Sequence, residues 1–293
     1  MWIMERYIAL QKIIELGSFT KVADALGYTQ SAISQMIASL ENEHGFRLLV
    51  RSRTGVSLSQ EGKKLYPSIQ KAIFSYQSIQ EKVNEIKGVI SGVIRVGTIS
   101  SITVNWMPYL ISHFKQRYPD VDFLFHQGDY TSIQEWIKTG EVDFGFLSPD
   151  AVTGLETIPL MDGEMMVILS KEHPLACKKS INLESLVNEP FILLEEGHYS
   201  EPMEAFEKAG LKPHVQYRVH DDYAIMAMVE AKLGVSILAD LILKRVPFDI
   251  VKIPVEPRLY RHLAIGYKNK DSLPLASQYF IDFIISHKDE LLR

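Results

Sequence analysis

Apolar positions recur along the first forty residues at helical spacing. Ile3, Tyr7, Leu10 and Ile14 advance in steps of three and four and stop at Gly17, a natural helix end. Ser18 can then cap a short helical run, FTKVADAL, which Gly27 closes. Thr29 caps a third run, in which Ile33, Met36, Ile37 and Leu40 follow the pattern of a single buried stripe. A helix, a tight turn and a second helix make a helix-turn-helix arrangement. Away from the stripe stand Gln30, Ser31, Ser34, Gln35 and Ser39, where Lys and Glu are usual. Gln bonds an adenine edge through two atoms, and Ser donates or accepts at either kind of base pair. The row therefore suits a major-groove reading face; the plainer alternative is a solvated helix face that carries Ser and Gln.

The pattern then changes period. In GFRLLVRSRTGVSLSQEG, Leu48, Leu49 and Val50 are strand-like, RTGVS is a turn and VSLS returns as a second strand. Arg47, Arg51 and Arg53 are concentrated in it. A hairpin with arginines beside a helix-turn-helix is a wing that holds phosphates, which position a protein on DNA without specifying sequence. A surface hairpin with solvated arginines leaves their clustering there unexplained. From Leu65 a new seam begins: Leu65, Ile69, Ala72, Tyr76, Ile79, Val83 and Ile86 alternate steps of four and three. A continuous helix from Gln60 to Lys87 would run on the order of 40 Å. The seam serves either dimer pairing or packing on the chain's own body, and strict alternation favours the dimer. Pro67 removes one backbone donor near its start. KGVISG (87–92) ends the helix and reads as a hinge.

The run YIALQKIIELGSFTKVADALGYTQSAISQMIASLENEHGFRLLVRSRTGVSLSQEGKKLYP resembles the winged helix-turn-helix of LysR-type transcriptional regulators. The segments GSFTKVADALGYTQSAIS, LE…G…L and R…G…LS..G stand in that family's order and spacing. The resemblance implies double-stranded DNA as a partner, with Ser18, Thr20, Thr29, Gln30, Ser31, Ser34, Gln35, Arg51 and Arg53 at the interface. It also implies an imperfect palindrome near a promoter, a homodimer through the linker helix, a homotetramer and contact with RNA polymerase. In one respect the chain departs from the family: Ser31 through Leu40 contains no basic residue.

The remaining two hundred residues alternate strand and helix patterns. GVIRVGTI, VDFLFHQG and VDFGFLS read as strands, with the helices VNWMPYLISHFKQRYP and TSIQEWIKTG between them. MMVILS opens a second series, continued by PFILL, PMEAFEKAG, HVQYRV, YAIMAMVEAKLG and VSILA. LAIGY and a terminal helix, LASQYFIDFIISHKDELL, complete it. Such alternation argues for mostly parallel sheets with helices on their faces, an α/β class. The layout resembles the family's two-lobed effector domain, itself like a periplasmic binding protein. The expected domains are then 1–60, the winged helix-turn-helix; 61–91, linker helix and hinge; and 92–293, the effector domain. Lobe I would be 92–161 with 266–293, lobe II 162–265, and two crossing strands would join them.

A ligand crevice in such a fold lies between lobes, at the carboxyl ends of strands. Ser100 and Ser101 follow the first strand, where hydroxyls and helix N–H groups suit an anion or carbonyl; capping the helix is a compatible role. Asp129 and Tyr130 follow the second strand, Tyr130 being bulkier than the small polar residue usual in the family. Ser148 ends the third. LLEEGHYS places Glu195, Glu196, His198 and Tyr199 after a second-lobe strand, as crevice residues or as an exposed acidic loop. Asp221 and Asp222 occupy the analogous strand-to-helix turn.

Charge and composition sharpen this picture. Residues 1–90 carry eleven Lys or Arg against eight Asp or Glu, net +3, while the rest nets −8, consistent with an N-terminal part that meets a polyanion. No apolar stretch approaches the roughly 20 residues of a membrane span. The N-terminus lacks a basic start and an apolar core, so a cytoplasmic protein is expected. The single cysteine, Cys177, excludes an internal disulfide and any four-cysteine zinc site. No HExxH, G-x-S-x-G or phosphate-binding glycine loop occurs, so neither an enzyme nor a cofactor is expected. The function expected is a sequence-specific DNA-binding regulator controlled by a small molecule bound between two lobes. The alternative is a cytoplasmic small-molecule-binding protein of the periplasmic type with no regulatory role.

Overall fold

Three helices open the chain: α1 (Ile3–Leu16), α2 (Phe19–Leu26) and α3 (Gln30–His44). Their caps are those the sequence provides. Ser18 Oγ accepts from Lys21 N at 3.4 Å, and Thr29 Oγ1 accepts from Ala32 N at 3.2 Å. Leu10, Ile13, Val22, Ile33, Met36 and Leu40 meet in one core. The computed structural model describes residues 3–52, 55–86 and 91–291, in two units, Met1–Val83 and Asn84–Arg293.

The hairpin that follows, β1 (Leu49–Ser52) with β2 (Gly55–Leu58), is antiparallel, with Leu49 opposite Leu58. Glu41 fixes where it starts. Its Oε1 accepts from Leu48 N at 2.8 Å and Leu49 N at 3.1 Å, satisfying two donors that the turn from α3 leaves without partners. The next helix, α4 (Gln60–Ile86), is seated on the strand by Ser59 and Gly62. Ser59 Oγ donates to Arg47 O at 2.6 Å and accepts from Gly62 N at 2.8 Å. A Cβ on Gly62 would lie 2.3 Å from Leu48 O, so the approach requires glycine.

Helix α4 continues through Pro67. Its seam divides in two. Ile69 and its neighbour Ile73 are buried in the helical core, and Leu65 packs against it. Tyr76, Ile79, Val83 and Ile86 are exposed, Ile79 by 59% and Ile86 by 80%. The first part packs on the chain's own body, one of the two uses weighed from the sequence, and the second is an exposed apolar stripe. Residues 87–90, expected as the hinge, lie outside the described residues.

The second unit begins with β3 (Gly92–Thr98), α5 (Ser100–Asn105), α6 (Met107–Arg117), β4 (Val121–Gln127), α7 (Tyr130–Thr139) and β5 (Phe144–Leu147). The helix expected over 104–119 is instead two helices that meet at buried Trp106. A 15-residue strand, β6 (Glu156–Ser170), follows. Then come β7 (Ile181–Asn182), β8 (Phe191–Leu194), α8 (Glu201–Lys208), β9 (Val215–Val219), α9 (Asp222–Glu230) and β10 (Ser236–Ala239). The unit ends with β11 (Ile250–Glu256), β12 (Tyr260–Tyr267) and α10 (Leu275–Leu291).

The main sheet runs β4-β3-β5-β12-β6-β11-β7, with β10 also on β6, while β8 and β9 pair separately. It is mixed. Parallel pairing belongs to the strand–helix units, as in β3 with β4 and β8 with β9. Antiparallel pairing comes from the long strands that pass from one half to the other. Residues 156–164 of β6 pair with β12, and residues 165–170 with β10 and β11. One core gathers Val96, Phe114, Phe144 and Phe280. Beyond the crossing, Val167 and Leu169 face one core with Phe191 and Phe206, and Met166 and Ile168 face another with Ile225 and Met226, the two-residue alternation of a strand buried on both sides.

Candidate functional site

The stripe of α3 is buried as its spacing requires, which turns the polar row outward. Gln30, Ser31 and Gln35 are exposed and Ser34 is half-buried. Gln30 Nε2 donates to Ser34 Oγ at 2.9 Å, and Thr29 Oγ1 lies 3.0 Å from Ser31 Oγ. Gln35 has no partner among the described residues. Ser39 is different: Arg6 donates to it at 2.9 Å and also to Glu43, tying α1 to α3. It is a structural member of the row. Thr20 is exposed near the start of α2, while Ser18 is engaged as its cap. In the wing, Arg47 is 83% exposed and 3.5 Å from Glu41. Arg53 and the side chain of Arg51 lie outside the described residues.

The second unit encloses a cavity of about 200 Å³ at the ends of β3, β4 and β8. From the first-lobe side come Ile99, Ser100, Ser101, Gln127, Gly128 and Asp129; from the other, Leu194, Glu195, Glu196, His220, Asp222 and Arg261. Ser100 accepts from Gln127 Nε2 at 3.2 Å and bonds the Asp222 carboxylate. Ser101 is buried and accepts from Arg261 at 3.0 Å. Asp129 caps α7 through Ser132 N. Glu195 lies 3.3 Å from His220. Ile99, preceding α5, supplies no side-chain cap; each serine instead carries one bond across the crevice, Ser100 to Asp222 and Ser101 from Arg261.

Other expected residues stand around this cavity and not in its wall. Tyr130 is buried behind it and donates to Glu201 Oε1 at 3.2 Å. Ser148 is fully buried, its hydroxyl without a partner among the described residues. His198 is exposed; its backbone N–H donates to Thr131 Oγ1 at 3.0 Å. The loop lies so close there that a Cβ on Gly197, at φ +88°, would meet Thr131 Oγ1 at 2.2 Å. Tyr199 bonds Glu204 and lines a separate depression with Asp150, Lys208 and His262. Arg261, Gln127, His220 and Glu201 were not anticipated as site residues. Only the alternation of β12 could have flagged Arg261, because Leu263 and Ile265, on its side of the strand, are buried.

The electrostatics are acidic. Burial pushes the Glu196 carboxyl well above its usual range, and repulsion from Glu201 adds to this, with Arg261 opposing. Burial also raises Glu201 and Asp222, the first opposed by Arg261 and the second by its bond from Ser100. Tyr130 is raised by burial and by Glu196. Burial works to discharge Arg261, but Tyr130, Glu196, Glu201 and Asp222 outweigh it and hold the guanidinium charged. Among the described residues no group of three His, Cys, Asp or Glu side chains is placed to hold a metal ion.

A winged helix-turn-helix joined to a two-lobed domain with a polar crevice defines a ligand-responsive DNA-binding regulator. Residues 4–63 match the bacterial regulatory helix-turn-helix protein model of the lysR family, and residues 87–289 match the LysR substrate binding domain. The chain belongs to the LysR family of transcriptional regulators. It is 32% identical over 274 residues, 92% of its length and 94% of the relative's, to the uncharacterized HTH-type transcriptional regulator YvbU of Bacillus subtilis. It is 28% identical to the HTH-type transcriptional activator CmpR of Synechocystis, covering 98% of this chain and 96% of that one. Full-length OxyR from Pseudomonas aeruginosa superposes with a TM-score of 0.67 at 26% identity, covering 98% of this chain and 97% of that one. No helix among the described residues is long and apolar enough to cross a membrane.

Proposed function

We propose that the reading face of this regulator is the exposed row Gln30, Ser31, Ser34 and Gln35, with Thr20 and Thr29 at its edge and Arg51 and Arg53 on flanking phosphates. The observation that carries this is Gln35, exposed on α3 and without a bonding partner among the described residues, while Ile33, Met36 and Ile37 beside it are buried. Neutral hydrogen-bonding side chains then discriminate bases, and the wing supplies affinity.

The effector occupies the crevice between lobe I, 92–161 with 266–293, and lobe II, 162–265. Arg261–Ser101, Tyr130–Glu201, Ser100–Asp222 and His198–Thr131 join the two sides. A molecule that binds among these groups changes the balance of lobe arrangements by its differential affinity for them. The apolar stripe Tyr76, Ile79, Val83 and Ile86 supports pairing of two linker helices. Family membership supports a homodimer, its pairing into a homotetramer, contact with RNA polymerase and residence in the cytoplasm. The protein turns over no substrate, in keeping with relatives that are regulators.

Selection of bound duplexes from random DNA by the full chain tests this function. The expected product is a dyad-symmetric sequence, bound with an affinity that a crevice ligand alters. Recovery of no preferred sequence would overturn it.

A further inference from the structure

The crevice wall is unbalanced in two ways. Asp129, Glu196 and Asp222 all reach it, against Arg261 as the one strong base, since His220 is engaged with Glu195. Asp129 and Asp222 each have a hydrogen bond; the Glu196 carboxylate has none among the described residues. Arg261 is itself 6% exposed, donates to Ser101 and has an Nε–H without a partner among the described residues. Glu196 is half-buried and lines the cavity, so its carboxylate is open to a donor from a ligand, while the Arg261 Nε–H is buried without an acceptor among the described residues. Acidic groups exceed basic ones along this wall, which favours a ligand that brings positive charge.

We infer that the effector is a small amine, whose ammonium group sits against Glu196 and Asp222 while an acceptor elsewhere in the molecule faces Arg261. The inference rests on the crevice being the effector site, and it narrows that site to a chemical class. An ammonium is compact and has three donors, which matches carboxylates converging on a cavity of about 200 Å³. A dicarboxylate would meet three acidic groups and gain a single guanidinium already shared with Tyr130, Glu201 and Asp222. The charged and titratable groups near Glu196 are Glu201, Asp222, Asp129, Arg261 and Tyr130, and its proton competes with the ligand: affinity for an amine rises with pH as that proton leaves.

Calorimetry on the full chain tests this with three probes at equal ionic strength: 1,4-diaminobutane, lysine and succinate. The expected result is saturable binding of an amine that tightens as pH rises and weakens roughly tenfold or more in Glu196→Gln, with succinate inert. Succinate binding that Glu196→Gln or Asp222→Asn alters would overturn the amine and leave the crevice as the site. Amine binding that neither substitution changes would overturn both. Saturable binding by neither amine overturns the class.

Discussion

At the residue scale, the most constrained position outside the crevice is Glu41. One of its oxygens holds two backbone donors at the entry to the wing. Glu41→Ala leaves both N–H groups without an acceptor in a half-buried turn, and a loss of about 2–3 kcal/mol in unfolding free energy is expected by denaturant titration. A loss below roughly 0.5 kcal/mol, the scale of an ordinary surface change, would contradict the role. The caps Ser18 and Thr29 were legible in the sequence because capping is local: the acceptor and donor lie within three residues. Arg261 was not legible. Its partner Ser101 is 160 residues away, and a charged residue at a strand end reads as solvent-facing until the other lobe is in place. Ser39 shows the reverse error, since a polar residue on an open helix face is claimed by Arg6 from another helix.

Elements were legible where their pattern was clean. Helices α2, α3 and α7 carry one apolar stripe each, and their ends coincide with Gly27, Gly45 and Gly140. The first half of β6 contains Pro159 and Gly163, and β11 contains Pro254; these residues hide a strand from any periodicity. Such strands are held by their partners, β6 by β12, β10 and β11 along its length. Two predictions belong here. Gly62→Ala places a methyl against the carbonyl of Leu48, and a melting midpoint lowered by several degrees is expected for the N-terminal unit, from a destabilisation of about 2 kcal/mol. An unchanged midpoint would show that α4 yields without effect. Ile79→Glu puts a charge in the exposed apolar stripe, and sedimentation is expected to register loss of the dimer. Wild-type sedimentation with normal DNA binding would assign the stripe another use.

At the scale of the whole molecule, the joined lobes carry an electrostatic debt near neutral pH. Glu201 is raised by burial, so the native state binds its proton more tightly than the unfolded chain. Between its raised native value and the unfolded value of about 4.3, stability contributed at this site grows as pH falls. Glu201→Gln removes the titration and keeps an acceptor for Tyr130. Thermal melts of both proteins are expected to show the variant's advantage greatest at high pH and shrinking on acidification. A difference independent of pH would mean that folding leaves the Glu201 carboxyl unshifted, contrary to its burial. The order of lobes and the crossing strands were legible only through resemblance to a family, because nothing local in the chain says which strands pair across a hundred residues.

The central claim is that DNA sequence is read by the neutral polar face of α3 and held by the wing. Titration of the wild type and Gln35→Ala against the selected duplex and an unrelated one, in the same buffer, tests it most directly. The account predicts a loss of about 1–3 kcal/mol on the selected duplex and little change on the unrelated one. Equal loss on both duplexes, or loss on neither, would contradict it.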